Sequence, residues 1–311
     1  MTNASKLGVE IGGLVGILLL AHGGPGSLED IPAFLDKVRG GRPCSEQLVD
    51  EVREKYRYIG GSSPLPGITL SAARKLEERC GLPVHVGMLH WHPFLEETIP
   101  QMAGNGITKA LAICLVPHYS ECSVGRYRQR TAAAAEGRGI AFDFVDSWHT
   151  LPPYIEGLAD TIVSSSKALA VEPAVQPYVL FSAHSLPKAA LPPADPYPRQ
   201  LRETAERVAK RLELPADAWT VAYQSVSGPA QDWLGPSVEE VIGRLAGRGV
   251  RQVLLCPFGF IADHPEILYD LDVVLHSKAR DWGVAVTRTP LLNDGPALID
   301  SLSLLVERWI G

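Results

Sequence analysis

The sequence predicts an α/β protein made of two similar halves, each with a mostly parallel sheet flanked by helices. Short apolar runs of strand length alternate with segments of helical periodicity, a pattern typical of parallel strands joined by crossover helices. The pattern AHxxP follows an apolar run twice, at residues 21–25 and 183–187, which indicates an internal duplication. A length of 311 residues accommodates two domains, and we place them at 1–150 and 151–311. The final helix is free to pack back on the first half.

The elements of the first half are assigned from apolar spacing and from the glycines that interrupt it. Residues 1–12 are predicted to be a loose leader. Strands are expected at 14–21, 83–89, 110–116 and 140–145, and helices at 31–38, 48–56, 70–80, 95–102 and 127–136.

The second half repeats this plan. Strands are expected at 178–184, 219–223, 252–257 and 284–287, and helices at 155–162, 201–212, 238–245, from about 263, and at 298–305. Asp263 and Asp294 are predicted to cap the last two of these helices.

Composition narrows the class of protein. Apolar residues make up 46% and charged residues 21%, as in globular proteins, and the net charge of -6 argues against nucleic acid as a partner. Five scattered cysteines contain no CxxC pair, so we expect no disulfide framework and no iron–sulfur cluster, and the cytoplasm fits best. The apolar run at 12–21 is too short to span a bilayer and lacks the flanks of a signal peptide. We expect a monomer with no membrane span.

His184 is the first candidate functional residue. It ends a buried apolar strand, and Pro187 stops regular structure soon afterwards. Open α/β sheets build their sites at the carboxyl ends of strands. The alternative is a histidine held only by local hydrogen bonds. His22 occupies the matching place after the first strand, so two similar halves would put the two histidines on facing rims of one cleft.

A second candidate is the acidic helix start that contains Glu266 and Asp270. These carboxylates lie four residues apart on one helix face, where they repel each other unless a positive group is near. The alternative is a solvated acidic helix start favoured by the helix dipole. A carboxylate beside a neutral imidazole suits a borderline metal such as ferrous iron and can also accept protons near neutral pH.

Three further segments are ambiguous. His90 and His92 are two residues apart, and an extended chain would point both rings to one face, but two surface histidines around a packed Trp91 is the favoured interpretation. The Gly-Gly-Ser-Ser turn at 60–63 can bind an anion through its amides or be a plain turn. Residues 126–128 offer two cations and an aromatic ring, or a solvated helix start.

Five segments together resemble the ferrochelatase family, and the resemblance covers nearly the whole chain after the leader. These segments are YRYIGGSSPL at 56–65, FSAHSLP at 181–187, DPYPRQL at 195–201, YQS…DWLGP at 223–236 and GFIADHPEILYDLD at 259–272. The pairing of SAHSLP with DHxExLYD is the most specific of these motifs. The chain resembles the short, soluble branch from Gram-positive bacteria, whose substrate is coproporphyrin III.

The resemblance implies two Rossmann-like, chelatase-type domains that enclose a porphyrin cleft, in which ferrous iron is inserted as a substrate without a further cofactor. It implies His184 and Glu266 as the metal-binding and proton-handling pair, with Asp270 relaying protons outward. It places His22, where the short branch commonly has tyrosine, on the opposite side of the metal. The implied porphyrin contacts are His22, Arg39, Lys55, Tyr56, Ser63 and Tyr127.

Two other functions remain open on the residues. One is a cobalt or nickel chelatase for a corrinoid or sirohydrochlorin precursor, because AHGGP resembles the start of that group. Glu266 within DHxExLYD favours iron. The other is a haem carrier that binds without metallating. Protoporphyrin IX remains possible as the substrate in place of coproporphyrin III.

Overall fold

The computed structural model describes residues 13–169, 177–226, 229 and 232–311. The predicted leader at 1–12 lies outside the described residues. The chain divides into two compact units. The N-terminal unit falls within Met1–Val116, Ser123–Ser147 and Asn293–Gly311, and the C-terminal unit comprises Pro117–Cys122 and Trp148–Leu292.

The N-terminal unit is a parallel sheet with helices packed against it. Its strands are β1 (Leu14–Ala21), β2 (Val84–Met88), β3 (Ile107–Cys114) and β4 (Ala141–Val145). Its helices are α1 (Ile31–Val38), α2 (Glu46–Tyr58), α3 (Leu65–Cys80), α4 (Leu95–Gly104), α5 (Arg126–Ala135, preceded by a π-helical turn at Glu121–Gly125) and α10 (Pro296–Ile310). The sheet order is β2-β1-β3-β4, and α10 packs on α3.

The C-terminal unit repeats that order. Its strands are β5 (Tyr178–His184), β6 (Trp219–Gln224), β7 (Gln252–Cys256) and β8 (Ala285–Arg288), in the order β6-β5-β7-β8. Its helices are α6 (Pro152–Ala168), α7 (Tyr197–Arg211), α8 (Val238–Gly247) and α9 (His276–Asp281), with a π-helix at Glu266–Leu275 and a 3₁₀ turn at Lys188–Ala190. All strand pairs of both sheets are parallel, which confirms the predicted fold class.

Burial explains why the apolar runs become strands. The middle of β1, from Ile17 to Leu20, is fully buried, because helices cover both faces of a parallel sheet. Leu180 of β5 lies in an apolar core shared with α8 and the π-helix, including Ile267 and Leu271. The carboxyl ends of the two central strands, β1 and β5, therefore rest on rigid, well-packed cores.

Two predicted helix caps are wrong. The final helix begins after Gly295, while the Asp294 carboxylate accepts hydrogen bonds from Ser71 Oγ at 2.6 Å and Lys75 Nζ at 2.5 Å. The helix after Asp263 begins at Glu266 and is a π-helix, and the Asp263 carboxylate lies 3.7 Å from Arg288 Nη1. In both cases an ion pair with a distant element outcompetes the local cap, which sequence spacing does not reveal.

A buried histidine pair lies in the C-terminal unit. His118 Nε2 is 2.9 Å from Thr204 Oγ1, and His149 Nε2 is 2.8 Å from Glu203 Oε2. The two rings lie 5.6 Å apart between centroids. Burial lowers the pKa of His118 well below its usual range and, despite the hydrogen bond and charge of Glu203, also lowers that of His149. Both imidazoles are therefore neutral at neutral pH.

Within the described part of the chain, none of the helices combines the length and the apolarity needed to cross a membrane.

Candidate active site

His184 is the last residue of β5, the central strand of the C-terminal sheet. β5 lies between β6 and β7, at the point where the strand order reverses, which is where open α/β sheets form their sites. In the register of the sheet, His184 is opposite Gln224, the last residue of β6. The sequence-predicted position of His184 at the end of a buried strand is therefore confirmed.

The backbone around His184 is held from three directions. Its carbonyl accepts a hydrogen bond from the hydroxyl of Tyr197 at 3.0 Å, and the next amide, of Ser185, donates to the Gln224 carbonyl at 2.8 Å. Gly259, in the loop after β7, lies so close that a Cβ there would come within 2.5 Å of the Ala183 side chain. A residue larger than glycine at 259 would displace the strand end, so the imidazole is positioned by packing as well as by hydrogen bonds.

His184 and Glu266 form a pair. His184 Nδ1 donates to its neighbour's carbonyl, at Ser185, which leaves the lone pair on Nε2. This Nε2 lies 3.5 Å from Glu266 Oε2. A lone pair that faces a carboxylate oxygen is favourable only with a cation or a proton between them. Two ligands of one metal, each at about 2.1 Å, are separated by roughly 3.0–3.4 Å, which is close to the observed spacing.

Two more groups surround the same carboxylate oxygen. Ser225 Oγ donates to Glu266 Oε2 at 3.2 Å, and His264 Nε2 lies 3.8 Å from it. Burial would lower the pKa of His264, but the hydrogen bond and negative charge of Glu266 outweigh it, so the pKa is raised. Glu266 is thus placed among two imidazoles and a hydroxyl, a set of groups that can hold and exchange protons.

Glu266 opens the π-helix, and a half-buried ion pair anchors that helix. Arg288 Nε and Nη2 donate to the two oxygens of Asp272 at 2.6 and 2.8 Å. Asp270 lies about one turn beyond Glu266 and is half-buried, as expected for the next group along this face. A π-helix is rare and is frequently found at functional sites.

In the N-terminal unit, His22 follows β1 directly and is exposed. Its Nδ1 donates to the Gly23 carbonyl at 3.1 Å. Ser63 packs under the same loop, because its amide donates to the Pro25 carbonyl at 2.9 Å and a Cβ on Gly24 would come within 2.5 Å of its hydroxyl. Two of the predicted porphyrin contacts, His22 and Ser63, are therefore brought together.

The remaining predicted porphyrin contacts are buried or half-buried. Tyr56 is 4% exposed and packs with the core of α1, and Tyr127 is equally buried. Burial raises the pKa of Tyr127 well above its usual range, so its phenol stays protonated. The Arg39 guanidinium donates to the carbonyls of residues 42 and 43, and Lys55 is half-buried on α2.

Sequence reasoning missed three neighbours of the predicted residues. Ser225 adopts a left-handed backbone, with φ of 62°, and Tyr197 reaches His184 from the next helix. His90, interpreted as a surface histidine, is half-buried and lies 4.5 Å from His22 between ring centroids. Ser225 and Tyr197 both fall within segments that carry the family resemblance, which is the signal that could have identified them.

Each unit has the fold of one domain of the two-domain α/β chelatases. Structures similar to this chain include SirB from Bacillus subtilis with Fe3+, at a TM-score of 0.61 and 11% identity, covering 96% of each chain. CbiX, described as the terminal enzyme for biosynthesis of siroheme in denitrifying bacteria, has a TM-score of 0.56 and 14% identity, covering 95% of this chain and 100% of the other. These similarities support the fold.

The chain belongs to the ferrochelatase family, whose model matches residues 14–309. It is 37% identical over 301 residues to a ferrochelatase from Deinococcus radiodurans, covering 94% of this chain and 95% of the relative. It is 35% identical over 302 residues to a coproporphyrin III ferrochelatase from Anoxybacillus flavithermus, covering 94% and 95%. The protein is therefore a lyase that inserts a metal into a porphyrin, and the alternatives of a cobalt or nickel chelatase and of a haem carrier are not favoured.

Proposed function

We propose that this protein inserts ferrous iron into coproporphyrin III in preference to protoporphyrin IX. The observation that carries the metal-insertion chemistry is the 3.5 Å spacing of His184 Nε2 and Glu266 Oε2. Two donors leave most coordination positions of the metal open, which suits a metal that must be passed on to a porphyrin. In the part of the chain that the structure describes, no group of three or more His, Cys, Asp or Glu side chains is arranged to hold a metal.

Insertion requires that two pyrrole protons leave the porphyrin, and the site offers acceptors for them. His184 Nε2 is the proposed first acceptor once the metal has passed to the porphyrin, because its one lone pair cannot hold a metal and a proton at the same time. Glu266 balances the charge of the imidazolium that forms. His264 and Asp270 are the proposed route by which protons leave the carboxylate. The fixed backbone of His184 means that the acceptor does not reorganise during the reaction.

The preference for coproporphyrin III is argued from charge. It has four propionates where protoporphyrin IX has two, so cations and amides gain more from it. Arg39, Lys55 and the Ser63 turn are the proposed propionate contacts. Tyr56 and Tyr127 are each 4% exposed, so we do not propose them as direct contacts of the ring. Relatives named coproporphyrin III ferrochelatase support this choice.

One anaerobic absorbance assay tests the proposal. Coproporphyrin III and protoporphyrin IX are supplied side by side in detergent-free buffer with Fe2+ or Co2+. We expect turnover with Fe2+ and a higher kcat/KM for coproporphyrin III. A higher kcat/KM for protoporphyrin IX refutes the preference, turnover with Co2+ alone indicates a cobalt chelatase, and porphyrin binding without turnover indicates a carrier.

Two variants test the metal pair. His184→Ala should abolish insertion while the porphyrin still binds, and Glu266→Gln should lose most activity, since an amide can neither accept a proton nor balance the metal charge. His92→Ala is the control, because His92 is an exposed histidine bonded to Glu97. Appreciable turnover by a folded His184→Ala protein contradicts the assignment.

His22 is the proposed ligand of product haem iron. Its Nδ1–H is engaged by the Gly23 carbonyl, so the lone pair is on Nε2. Haem bound to the parent should show a nitrogen-ligated spectrum that disappears in His22→Ala. Identical spectra would leave His22 a residue of the loop only.

A further inference from the structure

We propose that Gln224 is a positioning residue for metal insertion, which fixes the end of β5 so that the His184 imidazole faces Glu266. This role rests on the proposed function, because Gln224 acts through the His184–Glu266 pair. The Gln224 side chain is 4% exposed, and the proposed metal and proton steps assign nothing to it.

Gln224 and His184 lie side by side at the carboxyl ends of neighbouring strands. They are register partners in the parallel pair of β5 and β6, and each is the last residue of its strand. Register partners project their side chains from the same face of a sheet, as do residues two apart in one strand. Ser182, two residues before His184, therefore shares that face with both of them.

Gln224 is bonded to β5 on both sides of His184. Its side-chain Oε1 accepts a hydrogen bond from Ser182 Oγ at 2.8 Å, and its carbonyl accepts one from the Ser185 amide at 2.8 Å. The Ser182 side chain is fully buried, which strengthens its hydrogen bond relative to one in water. One bond before His184 and one after it restrict rotation as well as displacement of the strand end.

The residue after Gln224 extends the same constraint to the carboxylate. Ser225 has a left-handed backbone, with φ of 62°, and its Oγ donates to Glu266 Oε2 at 3.2 Å. Such backbone conformations are uncommon for residues other than glycine and cluster at functional sites. Because Ser225 follows Gln224 directly, a shift of Gln224 changes the 3.5 Å spacing of His184 Nε2 and Glu266 Oε2 from both ends.

Packing gives no reason for an amide at this position. Gln224 Nε2 is buried and has no hydrogen-bond partner among the described residues, and a buried donor without a partner is unfavourable. Methionine has a similar length and lacks that donor. Gln224→Met should therefore change stability little, since removal of the unpaired donor offsets the lost bond to Ser182, while the end of β5 is released.

Binding of Co2+ in the absence of porphyrin, followed by its visible absorption, measures the metal pair without turnover. The loss of affinity in His184→Ala identifies the binding that belongs to this pair. Gln224→Met should weaken that binding at least about tenfold, as expected when a group that orients a metal ligand is removed.

The matched control is Gln252→Met. Gln252 is the first residue of β7, at the opposite end of the same sheet, and its Oε1 is also buried without a partner in the part of the chain that the structure describes. This variant loses a comparable amide but leaves the strand end at His184 intact. It should bind Co2+ and turn over as the parent does.

Steady-state kinetics with Fe2+ separate positioning from porphyrin binding. Gln224→Met should lower kcat by about tenfold to a hundredfold with KM for the porphyrin within about twofold of the parent, because a displacement of about 1 Å at a reacting group has an effect of this order. Ser182→Ala removes the same hydrogen bond from its other side and should also lower kcat. The double variant should be no slower than Gln224→Met alone, because both changes act through one bond.

Two outcomes separate this role from the proposed function. Co2+ affinity that falls in His184→Ala but not in a folded Gln224→Met protein, or that falls equally in Gln252→Met, overturns the role of Gln224 alone. Co2+ affinity that does not change in His184→Ala refutes the metal pair itself. If Gln224→Met does not fold, Ser182→Ala decides, since it removes only a hydroxyl, and parent-like kcat in that variant overturns the proposal.

Discussion

Replacing Arg288 with methionine should loosen the π-helix that carries Glu266. The guanidinium makes two short hydrogen bonds to Asp272, one to the Thr289 carbonyl at 3.0 Å, and lies 3.7 Å from Asp263. The Arg288 side chain is 15% exposed and that of Asp272 is 29% exposed. Removal of the cation therefore leaves two carboxylates in a mostly buried place.

The loss of stability expected for Arg288→Met lies between two known limits. Breaking a fully buried pair costs about 3–5 kcal/mol, whereas an exposed pair contributes about 0–1 kcal/mol. With the observed exposure we expect a loss of about 2–4 kcal/mol in the free energy of unfolding of the C-terminal unit. That loss lowers its Tm by about 4–16 °C, at about 2–4 °C per kcal/mol for a unit of this size. kcat should fall as well, because the anchor of the π-helix is gone.

The matched control is Arg211→Met. Arg211 Nε donates to both oxygens of Glu156 at 2.8 and 2.7 Å, but the side chains are 54% and 48% exposed. Losing this exposed ion pair should lower the free energy of unfolding by less than about 1 kcal/mol. Adding Asp272→Leu to Arg288→Met should restore part of the stability, because one orphaned carboxylate is removed. Equal denaturation midpoints for the two arginine variants, measured in urea, would refute the reasoning.

Three further predictions concern the site and its support. Asp270→Asn should reduce kcat less than Glu266→Gln does, and the reverse order in steady-state assays would mean that protons do not leave from Glu266 towards Asp270. Ser225→Ala should lower kcat and shift its pH profile with little change in KM, because the hydroxyl that donates to Glu266 is lost; an unchanged profile would show that the hydroxyl is not needed. Because the pKa of buried His118 lies below its value in the unfolded chain, the unfolded state binds more protons, and stability should fall as pH drops below about 6.5. The acid-induced decrease in Tm between pH 7.5 and 5 should be smaller in His118→Gln, and equal decreases would show that another group is responsible.

The sequence was sufficient for the fold class and for the place of His184. Strands such as β1 and β5 are buried on both faces, so the sheet requires a continuous apolar run that can be recognised from the sequence alone. The polar residues that come after each apolar run then mark where the strand ends. The match of AHxxP in the two halves corresponds to the same central strand in two sheets of the same order.

Features that depend on distant partners were not predictable. The helix after Asp263 is a π-helix, and its register reflects packing against the core and the pairing of Asp272 with Arg288. The left-handed backbone of Ser225 and the approach of His90 to His22 also arise from tertiary structure. Periodicity reports which face of an element is buried, but it does not report which polar group lies across from it.

The π-helix at Glu266–Leu275 makes chain length itself a determinant of the site. Hydrogen bonds that reach five residues back, rather than four, give a wider turn that holds more residues than an α-helical turn does. Deleting a single residue there would change the rotation between Glu266 and everything after the deletion by close to the roughly 100° that one residue contributes in an α-helix. The rotation about the helix axis between Glu266 and Asp272 therefore depends on how many residues separate them. Substituting one side chain for another cannot compensate for a change in that number.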